Sequence, residues 1–217
     1  MSHPYIVPAI IPTSRQSVIN YSELLAFAPE LHVDVVDGNF VETVSWPYLP
    51  QDVPTAVASY LHQFSLEIDL MVAQPLPAAA AWIQAGADRL IFHIETISVT
   101  ELASFDNHAS CSIGISASND VPLDTLAVYA PYADYIQVMG IAQIGSQGQP
   151  LDERVFAKIA DIKHCLPKLP ISIDGSVNQS TIRRLAQAEV ERLVVGSAIV
   201  QTSNPERAYC DLKRLLA

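Results

Sequence analysis

Eight short runs rich in β-branched and aliphatic residues recur along the chain, each followed by a segment of helical character. The runs cover residues 5–11, 31–36, 65–71, 89–94, 111–116, 135–139, 171–173 and 192–195. The amphipathic or Ala-rich segments fall near 17–27, 54–63, 77–85, 100–107, 123–129, 151–165, 179–188 and 204–216. Alternation of this kind predicts an α/β fold with a parallel sheet covered by helices. Eight units predict closure into a (β/α)8 TIM barrel. The chain has 217 residues, against roughly 250 for a typical barrel, so its loops must be short. The rival is an open doubly wound sheet, but no G-x-G-x-x-G follows the first strand, which weakens its dinucleotide-binding form. No Gly/Ser linker, charge block or low-complexity segment divides the sequence, and one domain over residues 1–217 is expected.

Composition narrows the function classes. Apolar residues make up 50% and charged residues 16%, which argues against disorder. Twelve Lys and Arg against 23 Asp and Glu give a formal charge of −11. A nucleic-acid partner needs a cationic footprint, and an anionic membrane surface needs basic clusters; neither partner is expected here. No apolar run approaches the roughly 20 residues of a spanning helix. The opening Met1-Ser2-His3-Pro4 places no basic residue before an apolar stretch, so no secretory leader is expected. Cys111, Cys165 and Cys210 are far apart and odd in number, as expected of reduced thiols in a cytoplasmic protein. Leu24, Leu25, Phe27, Trp46 and Trp82 are assigned to the core. Phe40 and Trp46, beside the second-strand loop, are also candidates for a contact between copies in a homo-oligomer.

The polar residues collect at strand ends. His32 and Asp34 lie on the second strand, Glu67 and Asp69 on the third, and His93 and Glu95 end the fourth. Asp174-Gly175-Ser176 ends the seventh and Gly196-Ser197 the eighth. A period of two puts His32 with Asp34, and Glu67 with Asp69, on one face each. Carboxylates flanked by Val and Ile are costly to bury alone, and one shared metal ion would neutralise several of them. In a closed barrel the C-terminal strand ends form the active-site face. Asp37-Gly38 reads as a turn.

The stretch His32-Val33-Asp34-Val35-Val36-Asp37-Gly38-Asn39-Phe40-Val41 resembles the H-V-D-V-M-D-G-x-F-V signature of ribulose-phosphate 3-epimerases. Four further segments resemble that family in the same order. Glu67-Ile68-Asp69-Leu70-Met71-Val72 is similar to D-V-H-L-M, and Ala85-Gly86-Ala87-Asp88 followed by His93-Ile94-Glu95 to A-G-A-D…H-x-E. Ile173-Asp174-Gly175-Ser176-Val177 is similar to V-D-G-G-V, and Val195-Gly196-Ser197-Ala198-Ile199 to A-G-S-A-V. The resemblance implies a barrel of the ribulose-phosphate-binding type. It implies one divalent metal ion (Mn, Mg, Fe, Co or Zn) held by His32, Asp34, Asp174 and, where the family has a His, Asp69. It also implies Asp34 and Asp174 as acid and base on opposite faces of a sugar carbon. Its phosphate site maps onto Gly145, Ser146, Gly148, Gly175, Ser176, Gly196 and Ser197. Met71, Met139 and His93 are the expected pocket residues.

The implied reaction is metal-dependent epimerisation at carbon 3 of a ketose phosphate, D-ribulose 5-phosphate to D-xylulose 5-phosphate or a close analogue. Removing a proton beside the ketone leaves an enediolate, and a divalent cation stabilises the charge growing on oxygen. Carboxylates on both faces let the proton leave one side and return on the other. Helix N-termini and glycine turns suit a phosphate dianion. Departures exist: Pro8-Ala9-Ile10-Ile11-Pro12 stands where the family reads P-S-I-L-S, and residues 139–149 keep Gly, Ser and Gln of M-S-x-x-P-G-F-G-G-Q only with a gap. They keep a catalytically impaired sugar-phosphate-binding relative open as an alternative. A decarboxylase or aldolase resembling D-x-K-x-x-D is disfavoured, because Met71 and Gln74 occupy the Lys and second Asp positions.

Overall fold

Eight parallel strands close on one another in chain order: β1 (Tyr5–Ile10), β2 (Glu30–Val36), β3 (Ser65–Met71), β4 (Arg89–His93), β5 (Ser112–Ala117), β6 (Tyr135–Met139), β7 (Ile171–Asp174) and β8 (Arg192–Val195), with β8 returning to β1. This computed structural model describes residues 4–105, 111–145 and 148–217. The closed barrel is the expected one, and the open-sheet rival is excluded by the β1–β8 pairing. The connecting helices are α1 (Arg15–Leu24), α2 (Ala58–Leu61), α3 (Pro75–Gln84), α4 (Val99–Ser104), α5 (Leu123–Tyr129), α6 (Arg154–Cys165), α7 (Ile182–Gln187), α8 (Ser197–Val200) and α9 (Pro205–Leu216). Among the described residues no helix is long and apolar enough to cross a membrane.

Local chemistry sets the helix ends. Ser14 and Ser17 form a capping box at α1, Ser98 and Glu101 another at α4, and Asn204 caps α9 ahead of Pro205. Two segments lose the most helix relative to the sequence expectation. The segment 54–63 divides into a 3-10 turn over Pro54–Val57 and the single turn of α2. The turn before α7 is held by Asn178, whose side-chain oxygen accepts from the Ser180 amide and hydroxyl, so residues 179–181 are an Asx turn rather than helix. The expected end of the fourth helical segment, 106–107, lies outside the described residues.

The hydrophobic core is an annulus between strands and helices. Val33, Val35, Ile68, Leu70, Phe92, Ile115, Ile136 and Val138 face outward into it, with Trp46 and Trp82 edge-on at 5.9 Å. Trp46 is fully buried and donates its indole N–H to Asp52, so it is core and does not mark a contact between copies. Leu24 is also corrected. α1 buries Val18 and Ser22, with Leu25 just beyond its end, so Leu24 points outward and is 45% exposed.

The barrel lumen is polar. Register neighbours share a face, and His32 sits opposite Glu67, Asp34 opposite Asp69, and Met139 opposite Asp174. The row His93, Ser116, Gln137, Ser172 and Arg192 continues across β4 to β8. Gly114 makes room for this packing, because a Cβ there would lie 2.5 Å from the Tyr135 ring. Gly114→Ala should therefore cost about 1–3 kcal/mol in denaturant unfolding by overpacking. An unchanged unfolding midpoint would show that the Tyr135 ring has room to move.

Candidate metal and substrate site

β2, β3 and β7 bring four ligand-type side chains to the C-terminal mouth of the barrel. One donor atom from each of His32, Asp34, Asp69 and Asp174 lies within 4.8 Å of the other three. His32 Nε2 is 3.2 Å from Asp34 Oδ1 and 3.9 Å from Asp69 Oδ2. Its other ring nitrogen, Nδ1, is 2.8 Å from Glu67 Oε1. Asp69 is held from the far side: His93 Nε2 lies 2.9 Å from Oδ1, and the Gln137 amide donates to Oδ2 at 2.8 Å. Each carboxylate oxygen has two lone pairs, so these bonds leave Asp69 able to face a cation as well.

Electrostatics gives the cluster its character. Burial, reinforced by the Asp34 charge, pushes the Asp174 carboxyl up to about 8. Burial also raises Asp34, although its contact with His32 opposes this. Burial alone would lower His32, but hydrogen bonds to Asp34 and Glu67 outweigh it and hold the ring well above its usual 6.5. Three carboxylates facing one imidazole are a donor set short of positive charge. A hard divalent cation fits it, because the donors are oxygen with one nitrogen and no thiolate is present.

Beside the cluster opens a cavity of about 210 Å³. Asp34, Asp174, Met71 and Met139 line it, together with Gly145, Gly148, Gly175, Ser176, Gly196 and Ser197. The glycine and serine turns named from the sequence thus meet around one space. Ser146 lies outside the described residues. His93 is corrected: it is fully buried, does not line the cavity, and stands behind Asp69. Asp37 is the structural pin the turn reading implies. Its carboxylate accepts from the amides of Asn39 and Phe40 and, across to the β3 end, from Ala73.

Two tight backbones shape the floor of the cavity. A Cβ at Gly140 would lie 2.1 Å from the Gly175 carbonyl, and the Gly140 amide donates to the Asp174 carbonyl at 2.6 Å. Gly175 and Ser176 both have positive φ, 99° and 56°, so Ser176 occupies a conformation that favours glycine. Sequence reasoning missed Asn178 and Val177 on the lining, and Gln137 and Tyr135 beneath the cluster. Glu67, placed from the sequence on one face with Asp69, lies in register with His32.

The description "Ribulose-phosphate 3 epimerase family" belongs to the family model that matches residues 4–200. The chain belongs to this family. Ribulose-phosphate 3-epimerases from Mycobacterium leprae (29% identical, 97% of this chain and 94% of that one) and Mycobacterium tuberculosis (30%, 97% and 92%) are similar to it. So is the ribulose-phosphate 3-epimerase of Eremothecium gossypii (28%, 98% and 93%). Relatives of that name are isomerases acting on carbohydrates. Two solved structures share the fold: 3-keto-L-gulonate-6-phosphate decarboxylase from Vibrio cholerae (TM-score 0.72, 12% identity, 99% of this chain and 98% of that one), and 3-hexulose-6-phosphate synthase from Salmonella typhimurium (0.69, 15%, 98% and 98%).

The raised groups fix a pH dependence for the metal-free protein. Asp174 at about 8 and His32 above 6.5 bind protons more tightly folded than unfolded. Their stabilisation is therefore full at low pH and is lost as pH rises, for Asp174 across the window from about 4 to about 8. The melting temperature of chelator-treated protein should fall by at least about 3 °C between pH 5 and pH 8. Asp174→Asn should flatten that slope. A rising or flat profile in the unaltered protein would contradict the assignment.

Proposed function

We propose that this chain is a metal-dependent 3-epimerase of a ketose phosphate, acting on D-ribulose 5-phosphate or a close analogue, with the whole activity in one barrel domain. The observation that carries the reading is the pair Asp34 and Asp174, contributed by β2 and β7 and exposed to one cavity beside a cation-fitting cluster. His32, Asp34, Asp69 and Asp174 would hold the ion, which supplies charge stabilisation for oxygen next to the carbon that loses its proton.

The chain's own groups do the rest. One of Asp34 and Asp174 is deprotonated and takes the proton from carbon 3; the other is protonated and delivers one to the opposite face. In the empty cluster burial raises both carboxyls, and a bound cation would lower them again; acid–base catalysis works best when the two groups lie near the operating pH. Gly175, Ser176, Gly196 and Ser197 offer backbone N–H groups and hydroxyls to the phosphate, with Gly145 and Gly148 across the cavity. Anchoring the phosphate orients the carbon between the carboxylates. Met71 and Met139 form an apolar wall that limits water access.

Epimerisation with proton return from solvent makes a specific demand. In deuterium oxide with Mn²⁺ present, D-ribulose 5-phosphate should acquire one deuterium at carbon 3 as xylulose 5-phosphate forms. Asp34→Asn and Asp174→Asn should each lower turnover by roughly 10²–10⁴-fold. No exchange into any ketose phosphate would favour the impaired binding relative instead.

Asp69 carries the finer reading. A carboxylate where the family has imidazole makes the shell one charge more negative, and the ion should be Mn²⁺ or Mg²⁺ in preference to Zn²⁺. Protein loaded from an equimolar mixture should retain manganese over zinc, and Asp69→His should move the balance toward zinc. Stoichiometric zinc in the unaltered protein would contradict this preference.

A further inference from the structure

Beneath the metal cluster lies a second layer of buried polar groups that ligand chemistry alone does not require. Glu67, on β3, is 1% exposed. One of its oxygens faces His32 Nδ1 at 2.8 Å, and the other accepts from the Tyr135 hydroxyl at 2.8 Å. Arg192, on β8, reaches across the lumen so that Nη2 is 3.2 Å from Glu67 Oε1, while Nη1 pairs with Glu30 at the start of β2. Thus β2, β3, β6 and β8 converge on one carboxylate.

The donor arithmetic fixes the orientation of His32. Tyr135 donates to Glu67, and the Arg192 cation stands beside it, so Glu67 acts as an acceptor. His32 Nδ1 must then carry the hydrogen, and Nε2 is the atom turned toward Asp34 and Asp69. A metal-ligating histidine is oriented in this way by the partner of its second nitrogen. Arg192 donates to Glu30 through Nη1, whereas Nε and Nη2 make no aligned hydrogen bond. A guanidinium buried with two unsatisfied donors is unfavourable on its own account. Its contribution is the charge and bulk it sets against Glu67.

We propose that Glu67, gripped by Arg192 and Tyr135, is the positioning residue for the metal ligand His32, and that Arg192 acts on the metal site through it. The proposal rests on the epimerase reading only in taking His32 as a ligand. It makes a prediction whose sign separates it from simpler roles. As a through-space charge, Arg192 repels a divalent cation, so its removal would tighten binding. As a purely structural pair, its removal would lower the melting temperature and leave the affinity unchanged. As a positioning device, its removal weakens binding.

The test is Mn²⁺ affinity of the full chain, read from the electron paramagnetic resonance of free Mn²⁺, with circular dichroism to confirm folding. Arg192→Met should weaken Mn²⁺ binding by at least about tenfold, and Arg192→Lys should recover most of the loss. Unchanged or tighter binding in folded Arg192→Met overturns the proposal. If Arg192→Met does not fold, Tyr135→Phe decides: it leaves the charges intact and should weaken Mn²⁺ binding several-fold, and unchanged affinity overturns the proposal. An unaltered protein that binds no Mn²⁺ removes the metal reading itself. That result is distinct from an unaltered protein that binds the ion and a variant that binds it equally well.

Discussion

Three carboxylates and one imidazole are forced together at the mouth of a barrel whose outer wall is aliphatic. That crowding is the constraint on which the remainder depends. Outward, Val33, Val35, Ile68 and Leu70 bind the strands to the helices. Inward, the same strands present His32, Asp34, Glu67 and Asp69. The alternation lets one sheet carry a water-excluding core on one side and a charged lumen on the other. Protons on Asp174 and His32 relieve part of that charge at the top, and Arg192 stands against Glu67 near the bottom. The protein is thereby stabilised through the groups that give it chemistry.

This arrangement departs from the usual filling of such barrels, where layers of branched aliphatic side chains occupy the interior. Here a row of His93, Ser116, Gln137, Ser172 and Arg192 runs across five strands. Its members back the His/Asp cluster: His93 and Gln137 hold Asp69, and Arg192 meets Glu67 behind His32. Asp69 is the point where the chain differs from its family's pattern, and His93 and Gln137 both hold it from below. A carboxylate is shorter than an imidazole and carries charge. The two donors beneath it fix its direction and offset part of its burial cost.

Most of the fold was legible in the sequence because most strands are runs of branched residues and α1, α3, α4 and α9 open on a capping side chain or a proline. β3, β6 and β8 match their predicted spans, while the ends of α7 do not, because Asn178 competes for the backbone groups of its first turn. The grouping of the four side chains was legible because period two places His32 with Asp34 and the motif supplies Asp174. His93 was misplaced. A histidine at a strand end reads as a pocket residue, and nothing local shows that Asp69 stands between it and the cavity. The grip on Glu67 was not legible, since Tyr135 and Arg192 lie 68 and 125 positions away in sequence and meet it only once the barrel closes.

The central claim is that Asp34 and Asp174 address one carbon from opposite faces beside a shared ion. A crystal structure of the protein with Mn²⁺ and a bound ketose phosphate measures this directly. The account predicts anomalous density for one ion among His32, Asp34, Asp69 and Asp174, and carbon 3 between the two aspartate carboxylates, each about 3–3.5 Å away. Carbon 3 with both carboxylates on one face, or an ion bound elsewhere, would contradict it.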